Sequence, residues 1–161
     1  MESRLEMHEC NRSDLDFLLT HLKSDDKKKL DFEHSKERFT DEWLKNKYLT
    51  QSKIKYTMRY DGKLMFCFGV FDEYPWNDDP LNGYLLWWMP SVWCETQKQG
   101  YFHCASKAIE ILKKLDKPVW TYTATWYKKN FHASKRFGFM PVITTEVYNQ
   151  EFLVSKLEVN K

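Results

Sequence analysis

The stretch over residues 83–139 constrains the fold more than any other part of the sequence. It begins with an apolar run, Tyr84–Met89, that is typical of a buried strand. A polar connection then leads to a helical pattern over Tyr101–Leu115, and a second strand is predicted at Val119–Trp126. A strand, a helix and a strand in this order form a right-handed crossover, which places the free N–H groups of the helix start beside a strand end. The pattern therefore predicts a crossover at which a phosphate-bearing cofactor can dock.

Shorter patterns on either side complete an alternation of strands and helices. The other predicted elements are a half-buried strand over 4–10, a helix capped by Asn11 or Ser13 with Leu15, Leu18, Leu19 and Leu22 on one face, a helix over 36–48 with Phe39, Trp43 and Leu44 on one face, strands over 54–60 and 64–71, a loop over 72–83, a short helix before Gly138, and two strands over 142–159. Asp61–Gly62 is typical of a type I′ hairpin turn. The whole order predicts an α/β (α+β) fold, a mixed sheet with helices on both faces, as a single domain over residues 1–161.

Composition excludes several classes of function. The chain has 25 basic and 23 acidic residues and a net charge of +2, so it has no long-range field for nucleic acid or a membrane surface. No apolar run approaches the ~18 residues of a membrane span, and the N-terminus shows no signal region. The 4 cysteines are irregularly spaced, which favours reduced thiols and a cytoplasmic location. The aromatic residues, 17% of the chain, are interpreted as core rather than as base-stacking groups.

The element order resembles that of the Gcn5-related N-acetyltransferases (GNAT) over nearly the whole chain. These proteins splay the fourth strand at a bulge, which here falls on Trp88–Ser91, and then carry a pyrophosphate loop of the form Q/R-x-x-G-x-G/A. The chain matches that loop at Gln97 and Gly100 but has Phe102 in place of the last small residue. Its Arg136–Phe139 ending is most similar to the GNAT-like branch of tailed bacteriophages, which includes the internal virion protein A family.

The resemblance implies a cofactor and its binding residues. The cofactor is acetyl-CoA (or CoA), and the acceptor is the amine of a small molecule or a protein. The family's pattern then implies a carbonyl-polarising N–H from the end of the fourth strand and a pyrophosphate held by amides at the start of the following helix. The implied cofactor-binding residues are Met89, Ser91, Gln97, Gln99, Gly100, Tyr101, Phe102 and Asn130.

The catalytic groups implied by the resemblance are less regular. Family members often read N-x-x-A-x-x-x-Y-x-x-x-G-F, and counting back from the Gly-Phe puts Tyr127 at the Asn position and Ser134 at the position of the acid Tyr. Asn130 occurs three residues later than the family's Asn. Tyr127 is therefore the candidate general acid. The fourth strand holds no carboxylate, so the base is sought at Asp72 or Glu73, with Glu73 preferred.

Two further residues have both a catalytic and a structural interpretation. His132 is either a general base or an exposed residue of a helix. Cys94 is either a nucleophile or a structural thiol. Cys94, His103, Cys104 and His132 lack zinc-ligand spacing, so no metal site is predicted. The favoured function is an acetyl-CoA-dependent N-acyltransferase. The alternative is a catalytically degenerate GNAT-fold phage protein that acts in virion assembly or binds a host protein, in the host cytoplasm or the virion.

Overall fold

The described part of the chain follows the expected order of strands and helices with one addition, a short helix over Trp93–Thr96 in the predicted polar connection. The computed structural model describes residues 4–22, 41–72, 83–125, 135–147 and 150–158. Its elements are β1 (Leu5–Glu9), α1 (Arg12–Thr20), α2 (Asp41–Gln51), β2 (Ser52–Tyr60), β3 (Lys63–Phe71), β4 (Tyr84–Pro90), α3 (Trp93–Thr96), α4 (Lys98–Lys113), β5 (Val119–Ala124), β6 (Met140–Val147) and β7 (Gln150–Leu157). Most of the predicted loop over 72–83 and of the short helix before Gly138 lies outside the described ranges. No helix within those ranges is long and apolar enough to cross a membrane.

Seven strands form one mixed sheet in the order β1-β2-β3-β4-β5-β7-β6. β4 and β5 are parallel, and the chain passes between them through α4. The pairs β1–β2, β5–β7 and β6–β7 are antiparallel. The predicted α/β class, a mixed sheet flanked by helices, is therefore confirmed.

The chain forms two compact units. The first comprises Met1–Val70 and Trp87–Ala108, and the second comprises Phe71–Leu86 and Ile109–Lys161. The organisation as a single domain over residues 1–161 stays a prediction.

The start of the first unit confirms the predicted cap and leucine face. Asn11 caps α1: its side chain accepts from the Asp14 N–H at 3.0 Å, and the Asp14 carboxylate accepts from the Asn11 N–H at 3.2 Å. This reciprocal pair satisfies N–H groups that a helix start otherwise leaves without partners. The leucine face is buried at Leu15, Leu18 and Leu22 and half-buried at Leu19.

β1 is more exposed than its alternating pattern predicted. Leu5 is half-buried, whereas Glu6–Glu9 are exposed, including Met7 at 40%. β1 is the edge strand of the sheet and pairs with β2 alone. Because an alternating pattern does not distinguish an edge strand from a central one, the sequence overestimated the burial of β1.

A tight hairpin joins β2 and β3, as predicted. Asp61 has φ +51° and Gly62 has φ +78°, the positive values that a type I′ turn requires at both central positions. The Arg4 guanidinium pairs with the Asp61 carboxylate beside the turn. After Lys63, β3 is buried along its whole length, as a central strand must be.

The second helix ends later than predicted. The prediction covered residues 36–48, of which 36–40 lie outside the described residues, and α2 continues to Gln51. Leu44 is buried as expected, but Trp43, assigned to the same face, is 41% exposed. The Lys47 ammonium lies 5.3 Å from the centroid of the Trp43 ring, so the indole acts as a surface cation–π partner rather than a core residue. Phe39 lies outside the described residues.

The second unit contains the two predicted tail strands. β6 runs antiparallel to β7, and its register shifts between Pro141 and Ile143. β6 is the other edge of the sheet, and Met140, Val142 and Ile143 are 58%, 56% and 48% exposed. A proline and an irregular register are features that protect an exposed edge from pairing with another chain.

Candidate functional site

The end of β4 is fixed to β3 through Ser91. The Ser91 N–H donates to the Met65 carbonyl at 2.8 Å, and its hydroxyl donates to the Leu64 carbonyl at 2.7 Å. Met89, two residues earlier, is buried. Because the Ser91 N–H already has an acceptor, Met89 is the better candidate of the two for polarising a thioester carbonyl.

The ladder between β4 and β5 is short. It contains the pairs Tyr84 with Val119 and Leu85 with Trp120, although β4 continues to Pro90. Among the described residues, no later pair extends it.

α4 begins three residues earlier than predicted. The sequence analysis placed its start at Tyr101, after Gly100, because glycine in a helix costs about 1 kcal/mol relative to alanine. The structure starts α4 at Lys98, directly after α3, so Gly100 is the third residue of the helix. The predicted pyrophosphate loop is therefore the first turn of α4.

The first turn of α4 presents a small set of backbone donors. The Gln97 N–H donates to the Trp93 carbonyl at 2.8 Å, and the Tyr101 N–H donates to the Gln97 carbonyl at 2.9 Å. The amides of Lys98, Gln99 and Gly100 come before the helical hydrogen-bond pattern begins, so they have no acceptor within the helix. Since Lys98 and Gln99 have exposed side chains, this helix start can receive an anion from solvent.

Gly100 allows close packing against Tyr60. A Cβ atom at position 100 would lie 2.5 Å from Cδ1 and 2.9 Å from Cγ of the Tyr60 ring. Position 100 is buried, and the same ring stacks on His103 with centroids 6.0 Å apart. Glycine is therefore required here by packing, in addition to any part it takes in binding a phosphate.

The two aromatic residues after Gly100 have different environments. Tyr101 is half-buried: its hydroxyl accepts from Trp88 Nε1 at 3.2 Å, and its ring meets Phe66 edge-on at 5.6 Å. Phe102, which replaces the small residue of the family's loop, is 44% exposed. Phe102 therefore lies on the helix surface rather than in the core.

Several predicted site residues lie outside the described part of the chain. They are Glu73, Tyr127 and Asn130, together with the weighed alternatives His132 and Ser134. Their roles stay predictions. Asp72, the other base considered, is exposed, and its carboxylate lies 3.7 Å from Lys117 Nζ.

Cys94 has the surroundings of a structural thiol. It is buried, and its Sγ donates to the Met65 carbonyl at 3.1 Å. A reactive cysteine needs access and a depressed pKa, whereas a buried thiol bonded to a backbone carbonyl behaves as a small packing group. The geometry thus favours the structural reading of Cys94 over the nucleophile.

A polar cluster that the sequence analysis missed lies at the start of α1. Cys10, Asp14 and Cys67 are all buried, and their ligand-type atoms lie within 4.8 Å of one another. Cys10 and Cys67 are 57 positions apart, and neither belongs to a short cysteine motif. Pairing of β1 with β2 and of β2 with β3 is what brings them together, so spacing along the chain carried no signal.

Comparison of the sequence with known proteins returned no assignment. No protein-family model matches the chain. A search of curated proteins found no significant match either.

Comparison of the structure with solved structures gave extensive matches. A GNAT-family acetyltransferase from Streptococcus agalactiae aligns with TM-score 0.69 at 11% identity, covering 98% of this chain and 96% of that chain. The ribosomal-protein-S18-alanine N-acetyltransferase from Escherichia coli aligns with TM-score 0.68 at 10% identity, covering 98% and 95%. NAA60 from Arabidopsis thaliana, solved with a bisubstrate analogue, aligns with TM-score 0.62 at 14% identity, covering 97% and 98%.

These matches extend over nearly the full length of both partners, so they concern the whole architecture rather than a shared fragment. At such low identity the likeness is one of fold. The chain has the fold of the GNAT acetyltransferases.

Proposed function

We propose that the protein is an acetyl-CoA-dependent N-acyltransferase of the GNAT type that acts in the cytoplasm. The observation that carries the proposal is the alignment of nearly the whole chain with N-acetyltransferases. The α4 start and the short β4–β5 ladder support it, because they are the two places at which this fold meets its cofactor in the family pattern.

The cofactor's pyrophosphate is proposed to bind at the first turn of α4. The amides of Lys98, Gln99 and Gly100 precede the helical hydrogen-bond pattern, and the helix dipole favours a negative charge there. The Lys98 side chain adds an exposed positive charge. The amide groups of the pantetheine arm would then meet backbone groups of β4 after Leu85.

Acyl transfer requires three further groups. The acceptor amine attacks the thioester carbon and loses a proton to a base, for which Glu73 is proposed. A backbone N–H, proposed at Met89, stabilises the negative charge that develops on the carbonyl oxygen. The carbon–sulfur bond then breaks, and the departing thiolate takes a proton from an acid, for which Tyr127 is proposed. Asn130 is retained as a residue near the cofactor by the resemblance alone.

The alternative is a GNAT-fold protein that binds a partner without catalysis. Two observations favour it: the Ser91 N–H already has an acceptor, and Phe102 replaces the family's small residue. Its phage branch, with a role in virion assembly or host-protein binding, has no support from the structural neighbours described above. The acceptor, a small molecule or a protein amine, is left open.

Calorimetric titration with acetyl-CoA separates the two readings. If the protein is an acyltransferase, acetyl-CoA should bind saturably at one site per chain. An absence of heat up to millimolar ligand, which corresponds to a binding free energy weaker than about −4 kcal/mol, supports the non-catalytic protein.

The Gln99→Glu variant locates the pyrophosphate. Gln99 is exposed, so the change adds a negative charge beside the first-turn amides without disturbing the core. We expect acetyl-CoA to bind about tenfold more weakly, roughly 1.4 kcal/mol. Acetylpantetheine, which lacks the pyrophosphate, should bind equally to both proteins.

The exposed Gln51→Glu change makes the same substitution at the end of α2 and serves as the matched control. Unchanged acetyl-CoA affinity in Gln99→Glu would place the pyrophosphate elsewhere. Gly100→Glu is a poorer probe, because any side chain there meets Tyr60.

The Tyr127→Phe variant tests the acid. Loss of a general acid typically costs ~10²-fold or more in rate, so acetyl transfer to an amine panel should fall by that factor while acetyl-CoA binding is retained. Ser134→Ala is the comparison, since Ser134 occupies the position at which the family carries its Tyr. Full turnover by Tyr127→Phe would remove Tyr127 from the mechanism.

A further inference from the structure

Two thiols and a carboxylate converge in the core of the first unit. Cys10 directly follows β1, Asp14 lies in the first turn of α1, and Cys67 lies in β3. They are 3%, 4% and 0% exposed, and their ligand-type atoms lie within 4.8 Å of one another. Each side chain is thus held by a different element of the fold, and all three point to one place.

The Asp14 carboxylate is held in position from several directions. Oδ2 accepts from the Thr57 hydroxyl at 2.6 Å and from the Asn11 N–H at 3.2 Å. Oδ1 accepts from the Arg59 guanidinium at 3.3 Å. Outer hydrogen bonds of this kind orient the carboxylates that bind metal ions in proteins.

The two thiols are held by further polar groups. The Cys10 thiol donates to the Asn11 carbonyl at 3.8 Å. The Thr57 hydroxyl lies 3.1 Å from the Cys67 sulfur. Thiolate is the form in which cysteine binds metals.

A nitrogen donor lies beside the carboxylate. Nε2 of His8 is 3.1 Å from Asp14 Oδ2. His8 belongs to β1, is paired with Thr57 across the ladder to β2, and has a side chain that is 41% exposed. The imidazole therefore lies beside the Asp14 carboxylate on its more exposed side.

We propose that Cys10, Asp14, Cys67 and His8 form a binding site for a zinc ion. Two sulfurs, one carboxylate oxygen and one imidazole nitrogen are a donor set that zinc accepts in tetrahedral geometry. At zinc–ligand distances of about 2.0–2.3 Å, the ligand atoms lie roughly 3.5–3.8 Å apart, so Cys10, Asp14 and Cys67 need to move by about 1 Å or less. His8 lies outside that group of three, so its exposed imidazole must turn further toward the sulfurs.

The charges at this site also balance. Two thiolates and one carboxylate carry three negative charges, which a divalent cation and the adjacent Arg59 guanidinium together neutralise. The two thiol protons are released to solvent when the ion binds.

Titration of the metal-free full-length chain with Zn²⁺ alone and with Co²⁺ alone tests the proposal. We expect one ion per chain and, with Co²⁺, the absorption band that thiolate ligands give. Cys67→Ala should lose that band and at least ~10²-fold in affinity. Cys104→Ala is the matched control: it also removes a buried thiol, one that hydrogen-bonds to the Arg59 carbonyl outside the proposed ligand set.

A second variant keeps the test decisive if Cys67→Ala fails to fold. His8→Gln changes a half-exposed residue, so folding, checked by circular dichroism, should be retained. It should weaken Zn²⁺ binding about tenfold and leave the thiolate band in place. A wild-type chain that binds no ion, or unchanged affinity in folded Cys67→Ala or in His8→Gln, would overturn the site. The cluster would then be a hydrogen-bonded part of the core.

Discussion

The two faces of the β2–β3 hairpin are built from different interactions. One face carries Thr57 and Cys67: the Thr57 hydroxyl donates to Asp14 and also lies within hydrogen-bond distance of the Cys67 sulfur. The other face carries aromatic side chains that pack on one another and on the start of α4. Its ring contacts are Phe66 with Phe68 at 5.9 Å, Phe66 with Trp88 at 4.1 Å, and Phe66 with Tyr101 at 5.6 Å.

The two faces therefore differ in the amino-acid substitutions that they tolerate. Hydrogen bonds in a buried cluster are directional, and removing one partner leaves the others unsatisfied, so the polar face is sensitive to chemistry. Dispersion between packed rings depends on distance, so the aromatic face is sensitive to volume. Asp14, at the start of α1, is the position on the polar face where a change of chemistry should matter most. Gly100, at the start of α4, is the position on the aromatic face where a change of volume should matter most.

The Asp14→Ala variant should have the largest effect on stability. It removes the carboxylate that caps α1 and that accepts from Thr57 and Arg59, so several donors lose their acceptor at once. We expect the free energy of unfolding to fall by about 3 kcal/mol, measured by urea denaturation of the metal-free chain. Asp16→Ala, an exposed carboxylate of the same helix, should cost under ~1 kcal/mol. Equal losses would mean that the polar face is no more sensitive than the surface.

The Gly100→Ala variant should have the next largest effect, on the aromatic face. The added methyl group meets the Tyr60 ring at 2.5 Å, so the ring or the helix must shift. Overpacking of this kind costs roughly 1–3 kcal/mol. Tyr60→Leu should recover part of the loss in a double-mutant cycle, because it removes the opposing ring. If the stability changes of Gly100→Ala and Tyr60→Leu simply add, the contact between position 100 and the Tyr60 ring does not limit packing.

Cys104 on α4 should give the smallest effect, visible in the pH dependence of stability. Burial raises the pKa of the Cys104 thiol to about 11, from 9.0 for the ordinary group. The unfolded chain therefore releases this proton first as the pH rises, and stability is lost between pH 9 and pH 11. We expect the free energy of unfolding to fall over that window and the fall to level off above pH 11.

The comparison of wild type with Cys104→Ala isolates this contribution. Burial also raises the pKa of Tyr122 to about 12, but that group titrates equally in both proteins. Denaturant unfolding below pH 9 and near pH 11 should show a steeper loss in the wild type. If the free energy of unfolding falls equally with pH in the wild type and in Cys104→Ala, the assignment to Cys104 is wrong.

Local patterns predicted the elements that depend on neighbouring residues. The Asp61–Gly62 turn, the Asn11 cap and the apolar run of β4 are each specified within a few positions, and all three are confirmed. The start of α4 was placed wrongly because glycine has a low helix propensity, whereas contact with Tyr60 decides the residue at position 100. Helical spacing placed Trp43 on the same face as the buried Leu44, although Trp43 is exposed and its ring lies beside the Lys47 ammonium.

The sequence by itself predicted the order of the strands and the longer helices, an order that resembles that of the GNAT fold. Periodicity, caps and turn residues act over short distances and therefore appear directly in the chain. The tertiary structure alone decided which groups meet: Cys10 with Cys67, Gly100 with Tyr60, and the Ser91 amide with β3. These contacts join residues that are 26–57 positions apart. Strand pairing and the packing of helices on the sheet create them, and neither leaves a signature in local spacing.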